Sequence, residues 1–249
     1  YFESNEFTEV SQEIINTYGI PSFGEVNPAL FVNVTFPFLF GVMFGDIGHG
    51  FILLLAGTYL CLFSERLSEN PDNYLLLKMK YFLVLMGIFS TYMGLIYNDF
   101  MSIPLNLFGS GCYTIVNDKN QRSDKECVYP FGIDPVWMNS ENDIPFYNSF
   151  KMKASVVLGI VHMTLGIILK GVNAVHFNRK MDLFHEVIPQ ILLLLCLFGF
   201  MDLLIIQKWL TDYEGHEDQS PSIINIVINV FLNSGEPMPG SKELPLINH

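Results

Sequence analysis

Positive charge is scarce in this chain, and that scarcity excludes one class of partner at once. Across 249 residues there are 13 Lys and Arg against 25 Asp and Glu, for a formal net charge of −12. No basic patch exists to neutralise phosphates, so nucleic-acid binding is not expected. Charge of either sign is thin, at 15 % of residues, and no Arg falls within any long apolar run. The sequence also lacks a glycine-rich phosphate loop, a nucleophile–histidine–acid arrangement and zinc-ligand spacing. No catalytic site, metal or cofactor is therefore expected. Cysteine is sparse as well. Cys61 and Cys196 lie in apolar runs and read as packing residues. Cys112 and Cys127 lie in a polar stretch, where they are either two free thiols or a disulfide adding about 3 kcal/mol in an oxidising lumen. The chain opens on Tyr1 without an initiator Met, signal peptide or transit peptide, and we expect an internal segment of a longer protein.

What is abundant is apolar: 50 % of residues are hydrophobic, gathered in blocks. That pattern predicts an all-α fold, a polytopic transmembrane helix bundle of about six hydrophobic segments with one long lumenal loop. Residues 1–26 read as a cytosolic amphipathic connector, with Phe7, Val10, Ile14, Ile15 and Tyr18 at helical spacing. Residues 27–249 read as a transmembrane domain with helices at about 28–44, 47–63, 79–98, 154–175, 187–208 and 222–233 and a loop over 99–150. Asn27 and Pro28 suit the start of the first membrane helix. Ser155, Gly159 and Gly166 mark a packing side on the fourth. The connections at 64–80 and 170–186 each carry three Lys or Arg, which places both in the cytosol.

The segment from Pro28 to Phe63 is the most informative. Asp46 is its only formally charged residue. As one helix it would be roughly 54 Å long against roughly 30 Å of hydrocarbon. It must break, and Gly45, Gly48 and Gly50 around Asp46 and His49 mark the place. We expect two helices folded back on each other, with Gly41 and Gly45 forming a small-residue contact face.

Phe36-Pro37-Phe38-Leu39-Phe40 and Met43-Phe44-Gly45-Asp46-Ile47-Gly48-His49-Gly50 closely resemble the signature of subunit a of the vacuolar-type proton ATPase, whose archaeal relative is the I subunit. Gly94-Leu95-Ile96-Tyr97-Asn98-Asp99, Tyr129-Pro130-Phe131-Gly132-Ile133-Asp134-Pro135-Val136-Trp137 and Lys208-Trp209 extend the resemblance along nearly the whole chain. It implies a non-catalytic membrane stator subunit, scaffolding proton half-channels beside a ring of proteolipid c subunits during ATP-driven acidification, with ATP bound elsewhere. It further implies contact with other V0 subunits and the lipid bilayer. A large cytosolic N-terminal domain would reach the V1 peripheral stalks, and rotor-facing helices with an essential arginine would follow His249. The implied location is a multi-pass protein of the vacuole, lysosome or another acidic endomembrane compartment. The alternative is a secondary ion transporter or channel using the Gly-Asp-Gly-His break, although no second copy of that pattern occurs.

Ionisable groups in a membrane cost at least about 2.5–3.5 kcal/mol and ask for a reason. Asp46 and His49 either line a polar vestibule on the proton path or cap a helix. Lys153 either pairs with an acid or snorkels to the interface. Asp202, which departs from the family pattern, is expected near the interface because it stands close to the end of its helix. Asn225, Asn229 and Asn233 share one helical face.

Overall fold

The computed structural model describes residues 4–69, 71–109, 111–116, 119–122, 127–139, 143–211 and 222–232. The chain divides into two compact units, Tyr1–Leu158 and Gly159–His249. Among the described residues, three helices are long and apolar enough to cross a membrane: Lys80–Tyr97, Ile144–His176 and Lys180–Leu210. Two shorter apolar helices, Ala29–Phe44 and Ile47–Leu62, stand beside the first of these in sequence.

The first unit holds α1 (Glu9–Tyr18), α2 (Ala29–Phe44), α3 (Ile47–Leu62), the short α4 (Ser64–Leu67) and α5 (Tyr74–Lys78), and α6 (Lys80–Tyr97). The predicted break is present: α2 stops at Phe44, and α3 starts at Ile47 with Asp46 as its N-cap. The expected partner is different. α2 and α3 pack chiefly against α6, and they meet each other beside the break, where Phe44 stands edge-on to His49. Gly41 meets Phe89 and Gly45 meets Tyr97, so α2 runs parallel to α6. Gly50 meets Thr91, Gly57 meets Val84 and Gly87 meets Leu54, so α3 runs antiparallel to it. The chain thus doubles back at Gly45-Asp46, with α6 as the surface on which both arms lie. Small residues decide this. Glycines on all three helices remove the side chains that would hold the backbones apart, and α6 supplies two of them, Gly87 and Gly94, toward α3.

At the end of α6 near Lys80, α1 is tied down by Lys78 to Glu9 (3.0 Å) and Glu13, and by Lys80 to Glu6 (3.1 Å). The Glu13 and Glu9 carboxylates hold the Lys78 ammonium above the usual lysine range. The apolar stripe docks in part: Val10 is buried and Phe7 packs on the Tyr81 ring, while Tyr18 at the far end is 91 % exposed. Its polar side docks as well. Buried Ser11 donates to Asn33 Oδ1 (2.8 Å), and Asn27 Nδ2 donates to Gln12 Oε1 (2.7 Å). Asn33 and Asn27 line the start of α2, and polar partners attract a polar face.

At the other end, Asn98 terminates α6 in the left-handed region (φ 53), a conformation asparagine tolerates better than most residues. Its amide donates to the carbonyls of Ile133 (2.7 Å) and Phe131 (3.4 Å). Gly132 (φ +77) lets that loop lie directly on the Ile96 carbonyl. The segment 99–139 is not structureless. It holds the hairpin β1 (Asp99–Phe100) with β2 (Ile103–Pro104) and the hairpin β3 (Tyr113–Val116) with β4 (Lys119–Arg122). Cys112 and Cys127 are joined by a disulfide. Asp134 caps the region by accepting the N–H groups of Cys112 (2.7 Å) and Val136 (3.1 Å).

α7 (Asp143–His176) begins well before the expected start at Ala154, so the loop over 99–150 ends earlier than the sequence suggested. Pro145 fits a first helical turn. Tyr147 is buried and Phe150 packs edge-on against Tyr97, so these aromatics serve packing and not an interfacial loop. Gly159 and Gly166, expected to mark a packing side, meet nothing within 4 Å among the described residues.

In the second unit, α8 (Lys180–Leu210) also starts earlier than the expected 187. Pro189 cannot donate to the helix, and the wider π turn Leu183–Val187 just before it absorbs the loss and lets the helix run through. A second π turn spans Leu195–Gly199. α9 (Ile223–Leu232) packs against the last part of α8. Asn225 is exposed, while the Asn229 side chain and Asn233 lie outside the described residues, as does the acidic loop at 212–220.

Candidate functional site

The residues with chemistry in the first unit converge where α2 breaks. Asp46 sits in extended backbone (φ −154, ψ 129), and its Oδ1 accepts the N–H of Gly48 at 2.8 Å, the bond that starts α3. The same oxygen accepts the N–H of Met101 at 3.0 Å, from the β1–β2 turn. The other oxygen, Oδ2, meets Nδ1 of His49. The carboxylate therefore ties the start of α3 to the β1–β2 turn. Its side chain is 14 % exposed and that of His49 is 55 % exposed. Burial alone would raise the Asp46 carboxyl. The Met101 N–H, the His49 ring and the Gly48 N–H outweigh that and hold it below the usual aspartate value.

The glycines have distinct tasks. Gly45 lies against the Tyr97 ring, Gly48 against the Met101 side chain and Gly50 against Thr91. Each lets a neighbour reach the turn, and the break itself is set by the Asp46 cap.

One participant was not anticipated. Lys151, and not Lys153, reaches this turn. Its ammonium donates to the Gly45 carbonyl at 3.2 Å, pairs with Asp99 Oδ2 at 3.5 Å and lies 5.0 Å from the centre of the Tyr97 ring. Lys151 and Asp99 are 16 % and 11 % exposed. Tyr97 Oη in turn donates to the Val42 carbonyl at 2.7 Å. Lys153 is half-buried on another side of α7 and forms no ion pair among the described residues. The early start of α7 explains the difference, because it carries Lys151 into the helix and turns it toward Tyr97.

The β1–β2 turn was also illegible. Met101 (φ 50) and Ser102 (φ 65) both occupy the left-handed region, as a two-residue primed hairpin requires. Such turns usually carry Asn-Gly or Asp-Gly, and Met-Ser gives no such signal. The strain is offset by two carboxylates: Asp46 takes the Met101 N–H, and Asp99 takes the Ser102 N–H at 2.9 Å.

Asp202 lies in the second unit, in α8, and is 9 % exposed. The interfacial exposure expected for it is not found. Its neighbours Leu204 and Ile205 are buried with it.

With its acceptor sites filled by three donors, Asp46 is built as a pin, and the exposed His49 is the group beside it that meets water. A pH test follows. A carboxyl held low in the folded protein stabilises it above the unfolded value and ceases to do so as pH falls through the folded value. The stability gap between the wild type and Asp46→Asn should stay constant from neutral pH to about pH 5 and close only below about pH 4. Thermal unfolding of the detergent-purified parent protein across that range measures it.

The sequence profile of the V-type ATPase 116kDa subunit family matches residues 1–246. The vacuolar proton translocating ATPase 100 kDa subunit of Dictyostelium discoideum is 41 % identical over 254 residues, covering 94 % of this chain and 30 % of its own length. The human V-type proton ATPase 116 kDa subunit a 2 is 41 % identical, covering 92 % of this chain and 30 % of its own. Arabidopsis thaliana V-type proton ATPase subunit a3 is 40 % identical, covering 100 % of this chain and 30 % of its own. The chain thus spans under a third of the length of these relatives.

Proposed function

Because the chain belongs to the V-type ATPase 116 kDa subunit family, we propose that it forms part of the fixed membrane wall of a rotary proton pump. The observation that carries this is the match over residues 1–246, at about 40 % identity to relatives named as proton ATPase subunits. The secondary-transporter alternative is not favoured by those relatives.

In this reading residues 27–249 cross the bilayer in about six segments and residues 1–26 link them to a cytosolic domain. The region around 99–139 faces the lumen of an acidic compartment, where an oxidising environment suits the Cys112–Cys127 bridge. The wall stands beside a ring of proteolipid c subunits with other V0 subunits, and the V1 stalks are reached through the cytosolic domain. The packing suits a stator. α2 and α3 are clasped on α6 by backbone-close glycine contacts, and Lys151 locks their break to α7. Such an assembly resists torque, because no long side chain has to slide for the backbones to stay in register.

The test is purification of the full-length protein from its native membrane in mild detergent. Co-purification of a proteolipid ring with inhibitor-sensitive ATP hydrolysis is the expected result. A monomeric protein with neither contradicts the proposal.

A further inference from the structure

Asp202 is the only acidic residue between Glu186 and Lys208, and it stands in an apolar helix. At 9 % exposure it is buried beside Leu204 (0 %) and Ile205 (4 %). Its Oδ1 is fully buried and accepts no hydrogen bond among the described residues. Gln207 Oε1, on the same helix, is in the same condition. Asp202 Oδ1 is thus a buried acceptor to which no donor is bonded among the described residues. This last part of α8 continues directly from the π turn and packs against α9. α9 carries no titratable residue, and the π turn carries only Cys196, whose side chain is exposed.

An ionised carboxylate there would put charge on a buried oxygen that has no counter-charge or donor among the described residues, a costly arrangement. A carboxylic acid has no such defect. It carries no charge to leave unpaired. The π turn immediately before it reinforces the point: its N–H groups reach five residues back instead of four, the kind of local irregularity that recurs at functional sites in helices.

We propose that Asp202 is a proton-binding site, a neutral carboxylic acid within the membrane helix whose ligand is a single proton taken from water. The step is a simple protonation, carboxylate plus proton giving acid. The inference stands on the geometry of α8 alone and does not depend on the rotary-pump reading.

Difference infrared spectroscopy of the full-length protein against its Asp202→Asn variant, at neutral pH, tests it. The wild type should show a carboxylic C=O stretch that moves down in heavy water and is lost in the variant. A variant that loses a carboxylate stretch instead overturns the proposal. Should Asp202→Asn fail to accumulate, a membrane-soluble carbodiimide, which reacts with protonated carboxyls, is applied to the wild type. Modification of the Asp202 peptide at neutral pH supports the site, and modification only in acid overturns it.

Discussion

Gly94→Ala is expected to lower the stability of the first unit by about 3 kcal/mol, at the upper end of the usual cost of overpacking. A methyl group built on Gly94 overlaps the backbone of Asp46 and Ile47. Backbone cannot rotate away as a side-chain tip can, so α3 must move off α6. The Asp46 cap would move with it, since the residues struck are the cap and the first residue of α3. Gly159→Ala is the control. A methyl there meets nothing within 4 Å among the described residues, and exchanging glycine for alanine inside a helix favours the folded state by up to about 1 kcal/mol. Thermal unfolding of the two variants in the same detergent should therefore shift in opposite directions. Equal shifts would mean that α3 and α6 are not in backbone contact at Gly94.

The second large effect is expected at Lys151. Lys151→Met keeps much of the side chain's volume but leaves the Asp99 carboxylate with no counter-charge at a site only 11 % exposed. Breaking a buried pair by removing one partner costs about 3–5 kcal/mol, and the residual exposure here brings the expectation to about 2–3 kcal/mol. The Gly45 carbonyl also loses its donor. Adding Asp99→Asn to Lys151→Met removes the orphaned charge, so the double variant should recover at least half of the loss. Additive losses would show that the two groups do not act as a pair. Lys153→Met, outside this network, should change stability by less than about 0.5 kcal/mol.

Much of the first unit was legible because it follows from length and from glycine. An apolar run too long for one crossing has to break, and the lone acid among glycines located the break to the residue. What the run could not reveal was the surface on which its two arms would lie. Gly87 and Gly94 of α6 are the clue, but contacts between distant helices leave no local period. The same limit hid Lys151. It and Lys153 stand two apart on one helix, so they point in different directions. Only the register of α7, set by where the helix begins, decides which of them meets Tyr97. That start was misplaced because Asn148-Ser149 reads as loop, whereas tertiary packing of Tyr147 and Phe150 keeps it helical. The connector's polar contacts were hidden for a related reason. Its apolar stripe packs through Val10 and Phe7, but nothing in the stripe shows that Ser11 and Gln12 also bond to Asn33 and Asn27 at the start of α2. At Asp202, position along the helix suggested exposure, while neighbouring side chains bury it.

The central claim is that the chain reverses at Gly45-Asp46, so that the Asp46 turn and the 64–80 connection lie at opposite faces of the membrane. Single-cysteine accessibility tests it most directly. In a background with Cys61 and Cys196 replaced, Ile103→Cys and Ser68→Cys place thiols at exposed positions near the two ends of α6. An impermeant maleimide applied to sealed, oriented vesicles should label Ser68→Cys from the cytosolic side only, and Ile103→Cys only after the vesicles are opened. Labelling of both from the same side would contradict the account.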